Sequence, residues 1–130
     1  MKKPVKELTK AEEQVMQILW KLEKAFVKDV VEHFEKPVPA YNTVSTIIRI
    51  LEKKGFVSYK AYGNTYEYFP LISKSEYTGV YLGNFVNNYF GNSYKSLVSF
   101  FASGNKISIK ELEEMKQLMD KEIKKKKSHG

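Results

Sequence analysis

The sequence of 130 residues predicts a mainly helical chain with one small β-hairpin, an α+β fold. The first observation is a two-faced helical pattern that starts near Ala40 and stops at Gly55. The second is a pair of short β-branched and aromatic runs directly after this glycine, at residues 56–59 and 65–69. The third is a pair of helical patterns that precede this unit. Three helices followed by a hairpin predict a winged helix-turn-helix.

The first predicted helix begins at Thr9. Its hydroxyl can accept from the free amides of the first turn while Glu12, three residues on, reaches back to the cap. The apolar stripe of this helix consists of Val15, Ile18, Leu19 and Leu22. A short link then leads to a second helix over about residues 27–34. Trp20 lies off the main stripe, and we expect it to pack against the next helix or the wing.

The third predicted helix follows residues 35–39, whose two prolines break the chain. Its apolar stripe is Val44, Ile47, Ile48 and Leu51, and its opposite face carries Asn42, Thr46, Arg49 and Lys53. Short hydroxyl and amide groups near the helix start suit base edges, and positive charge further along suits phosphates. We therefore expect this helix to enter a DNA groove.

The predicted wing is a tight aromatic hairpin. Gly55 ends the third helix, because a residue without Cβ adopts the left-handed conformation that closes a helix. Gly63 and Asn64 suit the hairpin turn. Lys60 and Tyr62 would then lie close to the tip of the wing, where we expect them to contact DNA.

The character of the chain changes after Leu71, which predicts two domains, a DNA-binding domain over residues 1–71 and a helical dimerisation domain over 72–130. Ser73 and Ser108 mark two helix starts. The many aromatic side chains exceed what three short helices can bury, which predicts a surface covered by a second copy of the chain. The expected dimerisation residues are Tyr81, Leu82, Phe85, Val86, Tyr89, Leu97, Phe100, Phe101, Leu112, Met115 and Met119. The alternative is that these helices pack back on the winged domain of the same monomer.

The composition limits the classes of function. The net charge is +7, of which residues 1–71 contribute 12 basic and 9 acidic side chains, so the charge permits a nucleic-acid partner without establishing one. The chain has no cysteine, and no apolar run approaches the roughly 18 residues of a membrane span. No catalytic constellation, phosphate loop or metal cluster is present. We expect a soluble, cytoplasmic protein that is not an enzyme and uses no metal or cofactor.

Several segments together resemble one family. They are Leu8-Thr9-Lys10-Ala11-Glu12, Val15-Met16, Leu19-Trp20, Ala40-Tyr41-Asn42-Thr43-Val44-Ser45-Thr46, Leu51-Glu52-Lys53-Lys54-Gly55 and Tyr66-Glu67-Tyr68. These residues resemble the penicillinase and methicillin-resistance repressor family (BlaI/MecI-like), clearly over residues 8–77 and in general terms after that. The resemblance implies a homodimeric repressor that occupies an operator and blocks transcription, with Tyr41, Asn42, Thr43 and Thr46 at the start of the recognition helix. A two-fold dimer would present two such helices and read a palindromic site. The expected DNA-binding set is Tyr41, Asn42, Thr43, Ser45, Thr46, Arg49, Lys53, Lys60 and Tyr62.

The resemblance also implies a route of release from DNA. In the family, a membrane-bound sensor with a zinc protease domain causes cleavage of an Asn–Phe bond in the dimerisation region. The aligned positions here are Phe100 and Phe101, so the usual asparagine is replaced. The cysteine cluster of the copper-responsive branch is absent. Phe26 stands where the family pattern has a small capping hydroxyl before the second helix.

Two other hypotheses remain open at this point. The surplus of tyrosine and phenylalanine also fits a winged-helix regulator whose helical domain binds a small aromatic effector. A winged helix used only as a protein-interaction module is the other alternative. Weak DNA binding that does not respond to salt would favour the module, because phosphate contacts release counterions and make affinity fall with salt.

Overall fold

The computed structural model describes residues 5–129 and divides into two compact units, the first ending at Leu82 and the second beginning at Gly83. The elements of the first unit are α1 (Lys10–Leu22), β1 (Ala25–Phe26), α2 (Val27–Glu32), α3 (Tyr41–Lys53), β2 (Val57–Tyr62) and β3 (Thr65–Pro70). The predicted order of three helices and a hairpin is confirmed. Strand β1 was not predicted; it pairs with β3 and makes a three-stranded antiparallel sheet of order β1-β3-β2.

The start of α1 is held by the predicted reciprocal cap and by an ion pair. The Thr9 hydroxyl accepts from the Glu12 amide at 3.2 Å, and the Glu12 carboxylate accepts from the Thr9 amide at 2.9 Å. The same carboxylate accepts from the Lys54 ammonium at 2.8 and 2.9 Å, and Glu12 as a whole residue is 5% exposed. Burial alone would raise the pKa of Glu12, but the bonds from Lys54 and Thr9 outweigh burial and hold that pKa below its usual value. The start of α1 is thereby tied to the end of α3.

The core lies between the three helices and the inner face of the sheet. Its fully buried side chains are Val15, Met16, Leu19, Val30, Val44, Ile48, Leu51, Phe56 and Val57. On α3, the predicted apolar stripe is therefore the buried face, with Ile47 only half-buried. Burial of this stripe fixes the rotation of α3 about its axis and leaves the polar face of the helix outside.

The end of α3 has the geometry that its glycine predicted. Gly55 lies at φ +83°, and its amide donates to the Glu52 carbonyl at 3.0 Å. The Phe56 amide donates to the Leu51 carbonyl at 2.9 Å. This pair of bonds is a Schellman closure, which turns the chain directly from α3 into β2.

Trp20 contacts the segment that follows the wing, which the sequence did not predict. Its indole N–H donates to the Ile72 carbonyl at 2.8 Å, and its ring lies 5.9 Å from that of Tyr77. Tyr77 is 5% exposed, and its hydroxyl accepts from the Leu8 amide at 2.8 Å. The first unit thus extends beyond Leu71, because Tyr77 packs into the same core. The functional boundary predicted after Leu71 stays a prediction.

The second predicted helix ends earlier than expected. We predicted about residues 27–34, but α2 ends at Glu32, and His33 and Phe34 form a turn. The His33 amide donates to the Val30 carbonyl at 3.1 Å, which tightens the last turn. The His33 imidazole Nδ1 lies 2.8 Å from the Asp29 carbonyl, so this side chain bonds its own helix end.

The remaining elements are three helices, α4 (Lys74–Phe90), α5 (Tyr94–Ala102) and α6 (Ile109–His129). The two predicted serine starts are confirmed: Ser73 accepts from the Glu76 amide at 3.0 Å, and Ser108 accepts from the Glu111 amide at 3.1 Å. The hydroxyl of Ser93 likewise accepts from an amide in the first turn of α5. No helix within residues 5–129 is long and apolar enough to cross a membrane.

Candidate nucleic-acid interface

The outer face of α3 is an exposed row of polar and aromatic side chains. Its exposed members are Tyr41, Asn42, Thr43, Thr46, Arg49 and Lys53, and Ser45 is half-buried. The Thr46 hydroxyl donates to the Asn42 carbonyl at 2.9 Å, so its proton is used within the helix. Thr46 therefore offers a methyl group and an oxygen acceptor, which suit a thymine methyl and a base amino group respectively.

The start of this row forms one wall of a cleft. The cleft has a volume of about 360 Å³ and is lined by Phe26, Val27, Lys28, Asp29, Tyr41, Ser45, Arg49, Asn64, Thr65, Tyr66 and Tyr68. Lys28 on α2 and the first residues of β3 complete the lining. Two cations, Lys28 and Arg49, therefore line a space that is open to solvent, an arrangement that suits a phosphodiester.

Arg49 on α3 lies near the Tyr68 side chain of β3. Burial raises the pKa of the Tyr68 hydroxyl, the carboxylate of Glu52 raises it further, and the nearby Arg49 guanidinium opposes both. Asp29, the acidic residue of the cleft, accepts from the Phe26 amide at 3.0 Å and so serves the local backbone. Because the lining holds the cations Lys28 and Arg49 against the one carboxylate of Asp29, its net charge is positive and attracts an anion.

The wing carries the two residues predicted at its tip. Lys60 and Tyr62 are exposed near the end of β2, and the turn follows at Gly63, which has φ +62°. The Lys60 ammonium lies 5.3 Å from the centre of the Tyr62 ring, a cation–π distance. The Thr65 hydroxyl donates to the Tyr62 carbonyl at 2.9 Å and closes the turn.

The structure brings together only part of the predicted DNA-binding set. Tyr41, Ser45 and Arg49 share the cleft, whereas Lys53 lies at the other end of α3, about 18 Å along the axis from Tyr41 by the rise of a helix. Lys28 and Tyr66 belong to the cleft and were missed. The basic charge of Lys28 was visible in the sequence, but its place in the same cleft as Arg49 depends on how α2 packs on α3.

The predicted dimerisation residues differ in how far the structure exposes their side chains to solvent. Tyr81, Leu82, Tyr89, Phe100 and Met119 are exposed, and Phe85, Leu97, Phe101, Leu112 and Met115 are half-buried. Val86 is 0% exposed, so it supports the fold and has no surface to offer to a partner. Leu118, which is 62% exposed on α6, was not predicted.

The two positions aligned with the family cleavage bond lie in a helix. Phe100 and Phe101 are both within α5, and the ring of Phe100 lies 5.7 Å from that of Phe90 in an edge-to-face contact. Within residues 5–129, no group of three or more His, Cys, Asp or Glu side chains is arranged to hold a metal ion.

Three helices, a two-stranded wing and a polar helix face beside a basic cleft define a winged helix-turn-helix protein. The family model described as Penicillinase repressor matches residues 8–121. The chain therefore belongs to the penicillinase repressor family, and the resemblance inferred from the sequence is confirmed.

Individual relatives agree with this assignment. The chain is 28% identical over 116 residues to the methicillin resistance regulatory protein MecI of Staphylococcus aureus (strain N315), covering 88% of this chain and 94% of the relative. It is 26% identical over 126 residues to the penicillinase repressor of Bacillus licheniformis, covering 96% and 98% respectively. The solution structure of the DNA binding domain of the repressor BlaI superposes with a TM-score of 0.50 at 27% identity and covers 58% of this chain and 94% of that one.

Proposed function

We propose that the protein is a DNA-binding transcriptional repressor that acts in the cytoplasm as a homodimer on a palindromic operator. The observation that carries the proposal is the exposed polar face of α3 beside the cleft that Lys28 and Arg49 line. A helix of this kind fits the major groove of B-DNA, and cations beside it hold the flanking phosphates. Membership of a repressor family supports the same function.

The contacts divide into two groups by their chemistry. Residues near the start of α3, namely Asn42, Thr43 and Thr46, carry short donors, acceptors and methyl groups, and we assign them to base edges. Arg49 and Lys28 in the cleft, and Lys60 at the wing tip, are assigned to phosphates, which fix the position of the protein without reading sequence.

Thr46→Ala tests the assignment to base edges. The variant removes the methyl and the oxygen acceptor from the outer face of α3, and alanine is a good helix former. We expect the preference for operator over random DNA to fall by about fivefold to a hundredfold, as for one lost base contact of about 1–3 kcal/mol, while binding to random DNA hardly changes. Titration of both duplexes at one salt concentration measures this, and a parallel loss on both would contradict the assignment.

The homodimer rests on the apolar side chains that the second unit exposes. Phe100 is 70% exposed, and α6 carries Leu118, Met119 and Ile123, each at least 47% exposed. Neither α5 nor α6 contains a buried side chain. Apolar surface of this extent is typical of an interface between subunits, and a two-fold dimer would present two copies of α3 to half-sites about 34 Å apart or a multiple of that.

Phe100→Glu tests the dimer. A charge on an interface side chain must be desolvated on association, so we expect the dissociation constant of the dimer to rise at least about tenfold. Sedimentation equilibrium over a range of protein concentrations measures it. Ser99→Glu is the matched control, since it adds the same charge at the neighbouring exposed position of α5. If both variants raise the dissociation constant of the dimer equally, the added charge alone explains the effect. If Phe100→Glu leaves the dissociation constant unchanged, Phe100 is not in the interface.

The proposal includes release from DNA by proteolysis that a membrane-bound sensor protease triggers. Proteases cut chains that open locally, and α5 has no buried side chain to oppose opening. Phe100 and Phe101 lie in this helix, and we propose that the bond between them becomes accessible to cleavage when α5 opens locally. Mass spectrometry of the protein from induced cells should show a fragment that ends at Phe100. Release of an intact chain would contradict this part of the proposal.

Footprinting on the DNA upstream of the gene itself tests the proposed function as a whole. Two protected half-sites related by a two-fold axis, with centres one helical turn or a whole number of turns apart, are the expected result. A single protected half-site would contradict the homodimer, and no protection would contradict operator binding.

A further inference from the structure

We propose that Phe26 is a positioning residue for the wing, one that holds Tyr62 and Lys60 in place before DNA is bound. The inference rests on the proposed function, because the value of a fixed wing tip lies in its contact with DNA. The Phe26 side chain makes no capping bond to α2, the helix that it precedes.

Phe26 occupies the N-cap position of α2, but its side chain has no oxygen to accept from the free amides of the helix. Its backbone is extended, with φ −79° and ψ 161°, as a cap residue requires, but its side chain makes no capping bond. Serine, threonine, aspartate and asparagine are preferred there because their oxygen accepts from the first free amides. The helix start is instead held by Asp29, which accepts from the Phe26 amide at 3.0 Å. The phenyl ring is thus free for another contact.

The sheet register directs this ring toward the wing. Phe26 in β1 is opposite Glu67 in β3, and Glu67 is opposite Lys60 in β2. Opposite residues in antiparallel strands have their side chains on the same face, so Phe26 and Lys60 share the outer face. Tyr62 is two residues beyond Lys60 on the same strand and belongs to that face as well.

The contact that results reaches across the sheet to the wing tip. The rings of Phe26 and Tyr62 lie 5.9 Å apart at 62°, an edge-to-face arrangement. The Lys60 ammonium lies 5.3 Å from the centre of the same Tyr62 ring. Phe26, Tyr62 and Lys60 therefore form one line of contacts, which we call the buttress, from the cap of α2 to the cation at the tip.

Through this buttress, Phe26 changes the free energy of DNA binding by way of the wing-tip residues Tyr62 and Lys60. A two-stranded hairpin alone is marginally stable, and its tip is normally among the most mobile parts of a fold. Side chains that are ordered before binding lose less conformational entropy when they bind. Phe26 should therefore strengthen the contact that Lys60 makes with a phosphate.

A double-mutant cycle of Phe26→Ser and Tyr62→Ala tests the coupling, with a duplex from the DNA upstream of the gene as the probe. Serine supplies the missing cap oxygen, so the variant keeps or improves the start of α2. Each single variant should weaken binding about threefold to tenfold and lower the salt slope, and the double variant should bind no more weakly than the weaker-binding single variant. If the loss of affinity in the double variant equals the product of the two single losses, the two residues act independently and the proposal is overturned. Phe26→Leu, which keeps an apolar side chain of similar burial, provides a second arm of the same cycle if the serine variant fails to fold.

Backbone relaxation of the free protein tests the same inference without DNA. In the wild type, the amides of residues 60–65 should be as ordered as those of the strands, and Phe26→Leu or Phe26→Ser should make them more mobile while the amides of α3 stay unchanged. Unchanged wing amides would overturn the buttress, whatever the DNA result. A wild-type protein that binds no duplex, but whose wing loosens in the variants, would contradict the proposed function and leave the buttress supported.

Discussion

Arg49→Ala is expected to weaken binding to every duplex, specific or random, by about tenfold at moderate salt and to lower the salt slope by about one. Arg49 is exposed on α3, lines the cleft and carries a guanidinium that can pair with a phosphate. A phosphate contact of this kind releases about one counterion, which gives the change in slope its value. The loss is uniform over sequences because the phosphate backbone carries no base information.

The measurement is a titration of the variant and the wild type with operator and random duplexes at four or five salt concentrations. Lys21→Ala is the matched control, since it removes one exposed cation from the last turn of α1, away from the cleft. The control should leave the slope unchanged within error. If Arg49→Ala keeps the wild-type salt slope but lowers the preference for operator DNA, Arg49 contacts a base edge and not a phosphate.

Glu12→Gln is expected to lower the free energy of unfolding by about 2–3 kcal/mol. The substitution removes the charge that faces Lys54 and weakens the acceptor that caps α1. The Glu12 side chain is 7% exposed, so the loss exceeds that of a surface pair, whereas the 26% exposure of Lys54 leaves its ammonium partly hydrated and limits the loss. Denaturant unfolding measures the effect. Glu13→Gln, a neighbour in the same first turn, is the control and should change stability far less.

The same pair gives a pH dependence with a defined sign. The folded-state pKa of Glu12 is below its usual value, so folding favours the ionised carboxylate. Its contribution to stability is complete above the pKa of an unfolded glutamate, about 4.3, and is lost as the pH falls through the lower folded-state pKa. The difference in the free energy of unfolding between the wild type and Glu12→Gln should therefore be constant near neutral pH and become smaller in acid. A difference that stays constant into that acid range would contradict the role of the carboxylate charge.

The parts of the fold that the sequence predicted are those with a local cause. The buried stripe of α3 follows from spacing, its end from Gly55, and the start of α1 from the pairing of Thr9 with Glu12. The hairpin follows from its turn residues and aromatic strands. These signals depend only on residues within a few positions of one another, so one sequence is enough to read them.

The parts that it did not predict have causes distant along the chain. Strand β1 is two residues long, too short for a periodic pattern, and exists because Ala25 and Phe26 meet β3. Trp20 finds its acceptor at Ile72, far along the chain. Lys28 enters the candidate site only because α2 packs opposite α3. Periodicity could not separate Val86, which is buried, from the exposed apolar residues near it.

The central claim is that the outer face of α3 and the wing together bind duplex DNA. It is tested most directly by measuring the dissociation constant of the wild-type protein for a duplex from its own upstream region, and for a scrambled duplex of equal length, as salt is raised. We expect tighter binding to the first duplex and an affinity for both that falls linearly on logarithmic axes, with a slope of several units. Failure to bind either duplex at low ionic strength, or an affinity that salt does not change, would contradict the claim.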